Sequence, residues 1–246
     1  VAAPRFFLSQ PLPRQLIEGT SIEVGEEVVR HLQVLRMSAG DHMTLFDGQG
    51  GEFPAEIIDV AKRRATVRLL AFDNVERESP LAITLVQSLA TSDKMDLIVQ
   101  KAVELGVAVI QPVSSERATL KLSGERAEKR AQHWQSIARA ACEQCGRNRV
   151  PLVADPTELE EWLTTPTYGV RLMMHPEASK SMVDAVGNRT TISLLIGPEG
   201  GFSERELALA AKHGVEAVRF GPRVLRTETA GLAAVAALNA LVGDLR

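Results

Sequence analysis

The stretch "LLIGPEGGFSERE", residues 194–206, joins an apolar run to a glycine-rich loop carrying Glu199, and a helix start follows at once. Strand, tight loop and helix in that order form the unit of an open α/β sheet, where ligands bind beyond the carboxyl ends of the strands. A Walker A loop ends in Gly-Lys-Ser/Thr, because the lysine and hydroxyl face the terminal phosphates and Mg²⁺. Here Gly197-Pro198-Glu199-Gly200-Gly201-Phe202 puts a carboxylate where that cation belongs, and no G-x-G-x-x-G is present. A desolvated Glu199 would repel a polyphosphate, so nucleotide phosphate is disfavoured. Glycines let the backbone come close and read a ligand through its N–H and C=O groups. That suits hydroxyls, an adenine-like ring edge and positive charge. Ser203 and Glu206 form an S-x-x-E capping box, which predicts a helix from there on. The competing reading is a glycine-rich strand–helix turn with no ligand.

Working outward, strand and helix patterns alternate from Pro80 to the end. "LAITLVQSL" (81–89), "VAVIQPV" (107–113), "YGVRLMMHPE" (168–177), "TISLLIG" (191–197) and "VEAVRFG" (215–221) read as buried strands. Between them, "SDKMDLIVQKAVELG" (92–106) places Met95, Ile98, Ala102 and Leu105 on one helical face and closes on Gly106. A long helix is predicted over 124–145, stopped by Gly146. This alternation predicts a parallel α/β sheet covered on both faces. Three strand ends stand out, at 173–177, 196–204 and 220–230, and adjacent strands would bring them into one crevice. The third contains Arg223, Arg226, Thr227, Glu228 and Thr229, then "AGLAAVAALNALV" (230–242), a helix apolar all round. Such a helix is either core or a subunit interface. Arg226 at its start either orients an anion or carbonyl oxygen or pairs with Glu228.

The first 72 residues follow a different grammar. "EFPAEIIDV" and "RATVRLLAF" are short strand runs, "FDGQGGEF" is a turn signal, and "GEEVVRHLQVLRM" is one helical interruption. A small β-barrel with one helix is the natural closure. Residues 73–80, "DNVERESP", read as a linker to a second domain over 81–246.

With 246 residues, 45% hydrophobic, the chain has ample material for two cores. Apolar stretches are too short for a membrane span, and "VAAPRFFLSQ" lacks the pattern of a secretory signal. Cys142 and Cys145 form a C-x-x-C late in a helical pattern, with no second pair to complete a metal site, so a helix-face reading outweighs a redox one and no metal is expected. Two thiols without a disulfide framework suit a reducing cytosol. The net charge of −3 excludes bulk attraction to polyanions, yet residues 117–149 hold eight Lys or Arg against three Glu. That stretch is either a phosphate-facing surface or a solvated helix face.

Taken together, "SDKMDLIVQKAVELGV", "PVSSERATLKL", "EQCGR", "HPE", "LLIGPEGGFSERE" and "FGPRVLRTETA" resemble the RsmE family of 16S ribosomal RNA uridine N3-methyltransferases. "HLQVLRMSAGD" and "LFDGQGGEFPAEI" resemble that family's N-terminal PUA-like domain, so the likeness covers nearly the whole chain. The resemblance implies a SPOUT α/β domain with a C-terminal trefoil knot behind a PUA-like β-barrel. It also implies a cytoplasmic homodimer formed through the C-terminal domain. The implied cofactor is S-adenosylmethionine, whose sulfonium, ribose and adenine suit a carboxylate and bare amides. His175, Ile196, Gly197, Pro198, Glu199, Gly200 and Gly201 would hold it from one side, and Gly221, Leu225 and Arg226 from the other. The implied substrate is one uridine of 16S rRNA near the decoding region, met in the assembled small subunit.

Methyl transfer from a sulfonium is an in-line displacement, so positioning dominates. The uracil N3 carries a proton at neutral pH, and a base or stabilisation of the developing anion is needed. Arg226 is the expected stabiliser, with Glu143 and Glu228 as alternative bases. N3 lies on the Watson–Crick edge, so the base must be unpaired or flipped. Arg117, Lys121, Arg147 and Arg149 are expected to hold flanking phosphates, and Arg5, Arg36 and Lys62–Arg64 to contact RNA from the first domain. The rival from another class is a non-catalytic RNA-binding assembly factor of the same fold.

Overall fold

The structure, a computed structural model, describes residues 3–166 and 168–245. The chain divides into two compact units: Val1–Glu78 with Cys142–Val150, and Ser79–Ala141 with Pro151–Arg246. One border lies between Glu78 and Ser79, and residues 142–150, expected within the 81–246 domain, cluster with the first unit. Residues 73–78 belong to the first unit because their polar groups find partners there. Asp73 bridges to Glu52, while Glu76 and Glu78 pair with Arg149 and Arg147.

The first unit contains β1 (Arg5–Phe7), β2 (Ser21–Val24), helix α1 (Glu26–Val34), β3 (His42–Phe46), β4 (Phe53–Val60) and β5 (Ala65–Leu69). They form a five-stranded half-barrel in the order β1-β3-β4-β5-β2, with β1 parallel to β3 and the other pairs antiparallel. Period-two alternation sets the facing: Phe53, Ala55 and Ile57 are fully buried while Pro54 and Glu56 turn outward. Val28, Val29 and Leu32 of α1 close the same core. The turn at Gly48, Gly50 and Gly51 takes φ of 78°, 97° and 67°, which side chains rarely tolerate.

In the second unit β6 (Ala82–Ser88), α2 (Ser92–Glu104), β7 (Val109–Ser114), α3 (Gly124–Cys145), β8 (Leu152–Val153), β9 (Thr157–Glu158), α4 (Leu159–Thr164), β10 (Val170–Met174), α5 (Met182–Val186), β11 (Thr191–Ile196), α6 (Glu204–Lys212), β12 (Glu216–Val218) and α7 (Thr227–Val242) follow in order. The last turn of α3 is counted with the first unit. All strand pairs are parallel, in the order β12-β10-β11-β6-β7-β8, with β9 also on β7. Leu195, Met173 and Val86 face one side, packed with Trp162 of α4 and Ala210 of α6. Leu85 and Ile196 face the other, where α7 lies so close that a Cβ on Gly231 would stand 3.2 Å and 3.3 Å from them.

From the edge strand β12 the chain returns past β10 to lay α7 against β11, β6 and α2. Asn239, fully buried, pins that return by donating to the Leu105 carbonyl at 2.8 Å and accepting from Ser79 Oγ at 2.5 Å. Cys142 sits on the buried face of α3, where burial pushes its thiol up to about 12. Both cysteines are free. The helix-face reading of the C-x-x-C holds.

Candidate cofactor and substrate site

Because β12, β10 and β11 are neighbours, their carboxyl-end loops converge as the sequence pattern requires. Met174–Pro176, Ile196–Phe202, Phe220–Gly221 and Arg223–Thr227 line one cavity of about 650 Å³. His175, Ile196, Gly197, Pro198, Glu199, Gly200, Gly201, Gly221, Leu225 and Arg226 all border it. The loop after β11 is shaped by the capping box, where Ser203 Oγ accepts from the Glu206 N–H at 3.2 Å and Glu206 Oε2 from the Ser203 N–H at 2.8 Å. The other Glu206 oxygen accepts from the Glu116 N–H at 2.8 Å and joins the loop to the end of β7. Gly201 and Gly221 take φ of 67° and 73°, and nothing lies within 4 Å of where their Cβ atoms would be. Their strain-free turns and open space leave bare backbone at the cavity wall.

Sequence reasoning missed the cation at this site. Lys94, in the first turn of α2, puts its Nζ 2.9 Å from Glu199 Oε1 and 3.3 Å from Glu228 Oε2. The only signal available was its place in "SDKMDLIVQKAVELG". Thr119 Oγ1 donates to the other Glu199 oxygen at 3.0 Å, and Arg117 Nη1 donates to the Gly200 carbonyl at 3.0 Å. Burial would raise the Glu199 carboxyl, but the Lys94, backbone and Thr119 hydrogen bonds outweigh it and hold Glu199 below the usual carboxylate range. The hydrogen bond to Glu199 in turn raises the Lys94 ammonium, so it stays charged. Glu228 Oε2 is buried and, among the described residues, has no hydrogen-bond partner, the Lys94 contact lacking the geometry.

Behind the cavity-lining Thr227, buried Gln87 donates through Nε2 to Thr227 Oγ1 at 2.9 Å, and Thr227 Oγ1 donates to the Gly197 carbonyl at 2.6 Å. That relay fixes the first glycine of the loop to the start of α7. Arg226 is the N-cap residue of α7, exposed and bordering the cavity, and it forms none of the ion pairs found among the described residues. The pairing with Glu228 considered from sequence is replaced by Lys94–Glu228.

Other expected site residues lie elsewhere. Glu143 belongs to the first unit, where its Oε1 accepts from the Phe7 N–H at 2.8 Å. Burial raises its carboxyl, partly opposed by that N–H. Glu143 is not among the residues bordering the cavity, and through that bond it caps β1. Arg147 is 4% exposed and bidentate on Glu78, at 3.1 Å and 2.5 Å. Arg5 is similarly committed, with Nη1 on Glu52 at 2.5 Å, Nη2 on Asn148 at 2.6 Å and its guanidinium over Phe46. Charge alone, in sequence, carries no sign of such distant partners. Arg149 pairs with Glu76 at 2.8 Å but stays 57% exposed. Lys121 donates to the Ser115 carbonyl at 2.6 Å, and Arg36 is exposed at φ 57°.

Comparisons with known proteins agree with this geometry. Residues 77–239 match the family model described as RNA methyltransferase domain, and residues 24–70 the one described as RNA methyltransferase PUA domain. A protein of Buchnera aphidicola named ribosomal RNA small subunit methyltransferase E is 32% identical, over 99% of this chain and 95% of its own length. Its namesake from Bacillus subtilis is 31% identical, over 96% of this chain and 95% of its own. Among solved structures, the methyltransferase E of Neisseria gonorrhoeae bound to S-adenosyl methionine superposes with a TM-score of 0.93 at 43% identity, covering 100% of both chains. A putative methyltransferase of Legionella pneumophila in complex with S-adenosyl methionine gives 0.93 at 39% identity, again over 100% of both.

Proposed function

The chain belongs to the ribosomal RNA small subunit methyltransferase E family, and from that premise we propose that it transfers the methyl group of S-adenosylmethionine to N3 of one uridine of 16S rRNA near the decoding region. The reaction takes place on the assembled small subunit, in the cytoplasm, and the enzyme works as a homodimer. The observation that carries this reading is the convergence of three sheet-end loops on one cavity that combines bare glycine backbone, an ionised Glu199 and an exposed Arg226.

The residues present fit the cofactor. A volume of about 650 Å³ is in the range of small-molecule sites. Gly201 and Gly221 leave space that a Cβ would occupy. Glu199 offers negative charge to a cation, where a polyphosphate would be repelled. When bound, the cofactor supplies the electrophilic methyl group. The loop backbone at Gly197–Gly201 and Gly221–Leu225 holds and orients it, with the Gly197 carbonyl kept in place by Thr227.

On the substrate side, Arg226 places its guanidinium where negative charge grows on a uracil carbonyl oxygen as N3 loses its proton. Glu228 is the proton acceptor we favour. Among the described residues its Oε2 is buried without a hydrogen-bond partner, and Lys94 Nζ stands 3.3 Å away. Lys94 also fixes Glu199, so one cation orders both carboxylates.

The half-buried Leu232, Ala233, Ala236 and Ala237 of α7, with exposed Leu241, offer an apolar helix face to a second copy. Exposed Arg36 and Lys62–Arg64 supply cations from the PUA-like unit. The decisive experiment is transfer of labelled methyl from S-adenosylmethionine to small subunits lacking the modification, with naked 16S rRNA alongside. Label at N3 of one uridine, on the particle only, is the expected result. Cofactor binding without transfer to either substrate would refute the assignment.

A further inference from the structure

A second cavity opens on the surface of the second unit, about 490 Å³ in volume and separate in its lining from the first. Arg126, Lys129 and Arg130 line it from the opening turns of α3, and Lys121 from the loop before the helix. Residues 126, 129, 130 and 133 fall on one helical stripe by their spacing of three and four. No acidic residue lines the groove, in a chain whose net charge is −3. Lys129 is engaged by Glu125 at 2.6 Å, and Lys121 is held by the Ser115 carbonyl. His133 leans on Asp96 at 3.1 Å. Arg126 and Arg130 form none of the ion pairs found among the described residues, so their guanidinium groups are free for an outside anion.

The groove is not uniformly polar. Leu120 and Leu122, both half-buried, alternate with Lys121 along its wall. A bare anion hole has no use for apolar side chains, whereas a sugar–phosphate strand presents carbon and charge in alternation. Two unpaired guanidiniums four residues apart lie about 6 Å apart along the helix axis at a rise of about 1.5 Å per residue, so they can meet successive charges on a strand. Planar forks of this kind match phosphate oxygens bidentately.

We propose that this groove is a phosphate cradle for single-stranded RNA, in which Arg126 and Arg130 each hold one backbone phosphate and Leu120 and Leu122 pack against the intervening sugars. The inference rests on the reading of the protein as an rRNA methyltransferase, and identifies the RNA strand as the groove's occupant. It adds a contact set distinct from Arg147, Arg5 and the cavity residues. Free inorganic phosphate is the competing occupant, and the test separates the two.

Binding of a short, fluorescently labelled single-stranded RNA is measured as a function of KCl for the wild type, for Arg126→Ala/Arg130→Ala and for Lys212→Ala, an exposed cation on α6. Each phosphate contact to a single strand contributes about 0.7 to the slope of log affinity against log salt, so the double variant should lose about 1.4 of slope. Lys212→Ala should lose none. Arg126→Lys/Arg130→Lys should restore most of the slope, which a folding defect would not allow. On small subunits the alanine pair should raise KM with kcat unchanged. An unchanged slope and KM would overturn the cradle. So would inorganic phosphate displacing the RNA at equal phosphate concentration. If the wild type transfers no methyl while the slope still falls, the cradle stands and the catalytic reading fails. Methyl transfer with an unaltered slope gives the reverse.

Discussion

Replacing Glu52 with glutamine removes the central charge of the first unit. Its carboxylate takes Arg5 at 2.5 Å and Arg77 at 2.9 Å, and its side chain is only 14% exposed. Burial alone would raise the Glu52 carboxyl, but hydrogen bonds from Arg77 and Arg5 outweigh it and bring it down to about 2 from 4.5. A folded value below the unfolded one contributes stability that is present above pH 4.5 and lost as pH falls toward 2. A shift of this size corresponds to about 3.4 kcal/mol, at roughly 1.36 kcal/mol per unit. Solvent reaches this edge of the unit, and screening reduces the figure to roughly 2 kcal/mol. Urea unfolding followed by circular dichroism at pH 7 and pH 3 measures it. Glu52→Gln should lower stability by roughly 2 kcal/mol at pH 7, and more than half of that gap should close at pH 3. Fluorescence of Trp134 and Trp162, both in the second unit, supplies the internal comparison. An equal gap at both pH values would refute the argument, as would an Arg5→Ala variant of unchanged stability.

Other expectations concern the cavity. Arg226→Ala should abolish methyl transfer while S-adenosylmethionine affinity, measured by calorimetry, stays within a few-fold; loss of cofactor binding as well would assign Arg226 to the cofactor instead. Lys94→Met removes the hydrogen bond that depresses the Glu199 carboxyl, so cofactor affinity should begin to fall at a higher pH on acidification than in the wild type. Thr227→Val breaks the bond to the Gly197 carbonyl and should weaken the cofactor roughly fivefold to tenfold, about 1 kcal/mol, with Thr227→Ser close to wild type. Leu241→Glu puts a charge on the apolar face of α7 and should shift sedimentation from dimer to monomer.

The parts of this molecule written in local pattern were readable from the chain. β10 and β11 announce themselves as mainly apolar runs, interrupted by Arg171 in one and by Thr191 and Ser193 in the other, because both faces of a parallel sheet are covered. The Ser203–Glu206 box marks a helix start by its own spacing, and the strand-end loops meet because their strands are neighbours. Short edge pieces were not readable. β8 and β9 span two residues each, too few to carry a period. Charged residues were the least legible. Arg147 and Arg149 are two apart and read alike, yet one is buried against Glu78 and the other is exposed beside Glu76. Their partners lie 69 and 73 residues back along the chain, out of reach of any local rule. Lys94 was illegible for the same reason, its partner Glu199 being 105 residues away.

The return of Cys142–Val150 to the first unit bears on how the protein is made. Arg5 leaves the ribosome 143 residues ahead of Asn148, the group that fills its second nitrogen. At about 5–20 residues per second that interval lasts on the order of 7–30 s, during which the nascent PUA-like unit lacks the Asn148 partner of Arg5 and the arginine partners of Glu76 and Glu78. Vectorial synthesis therefore delivers its strands early and its closing clasp late. A fragment cut at the border between Glu78 and Ser79 would stay permanently at that stage, and a stable N-terminal unit has to be assembled from two pieces of chain.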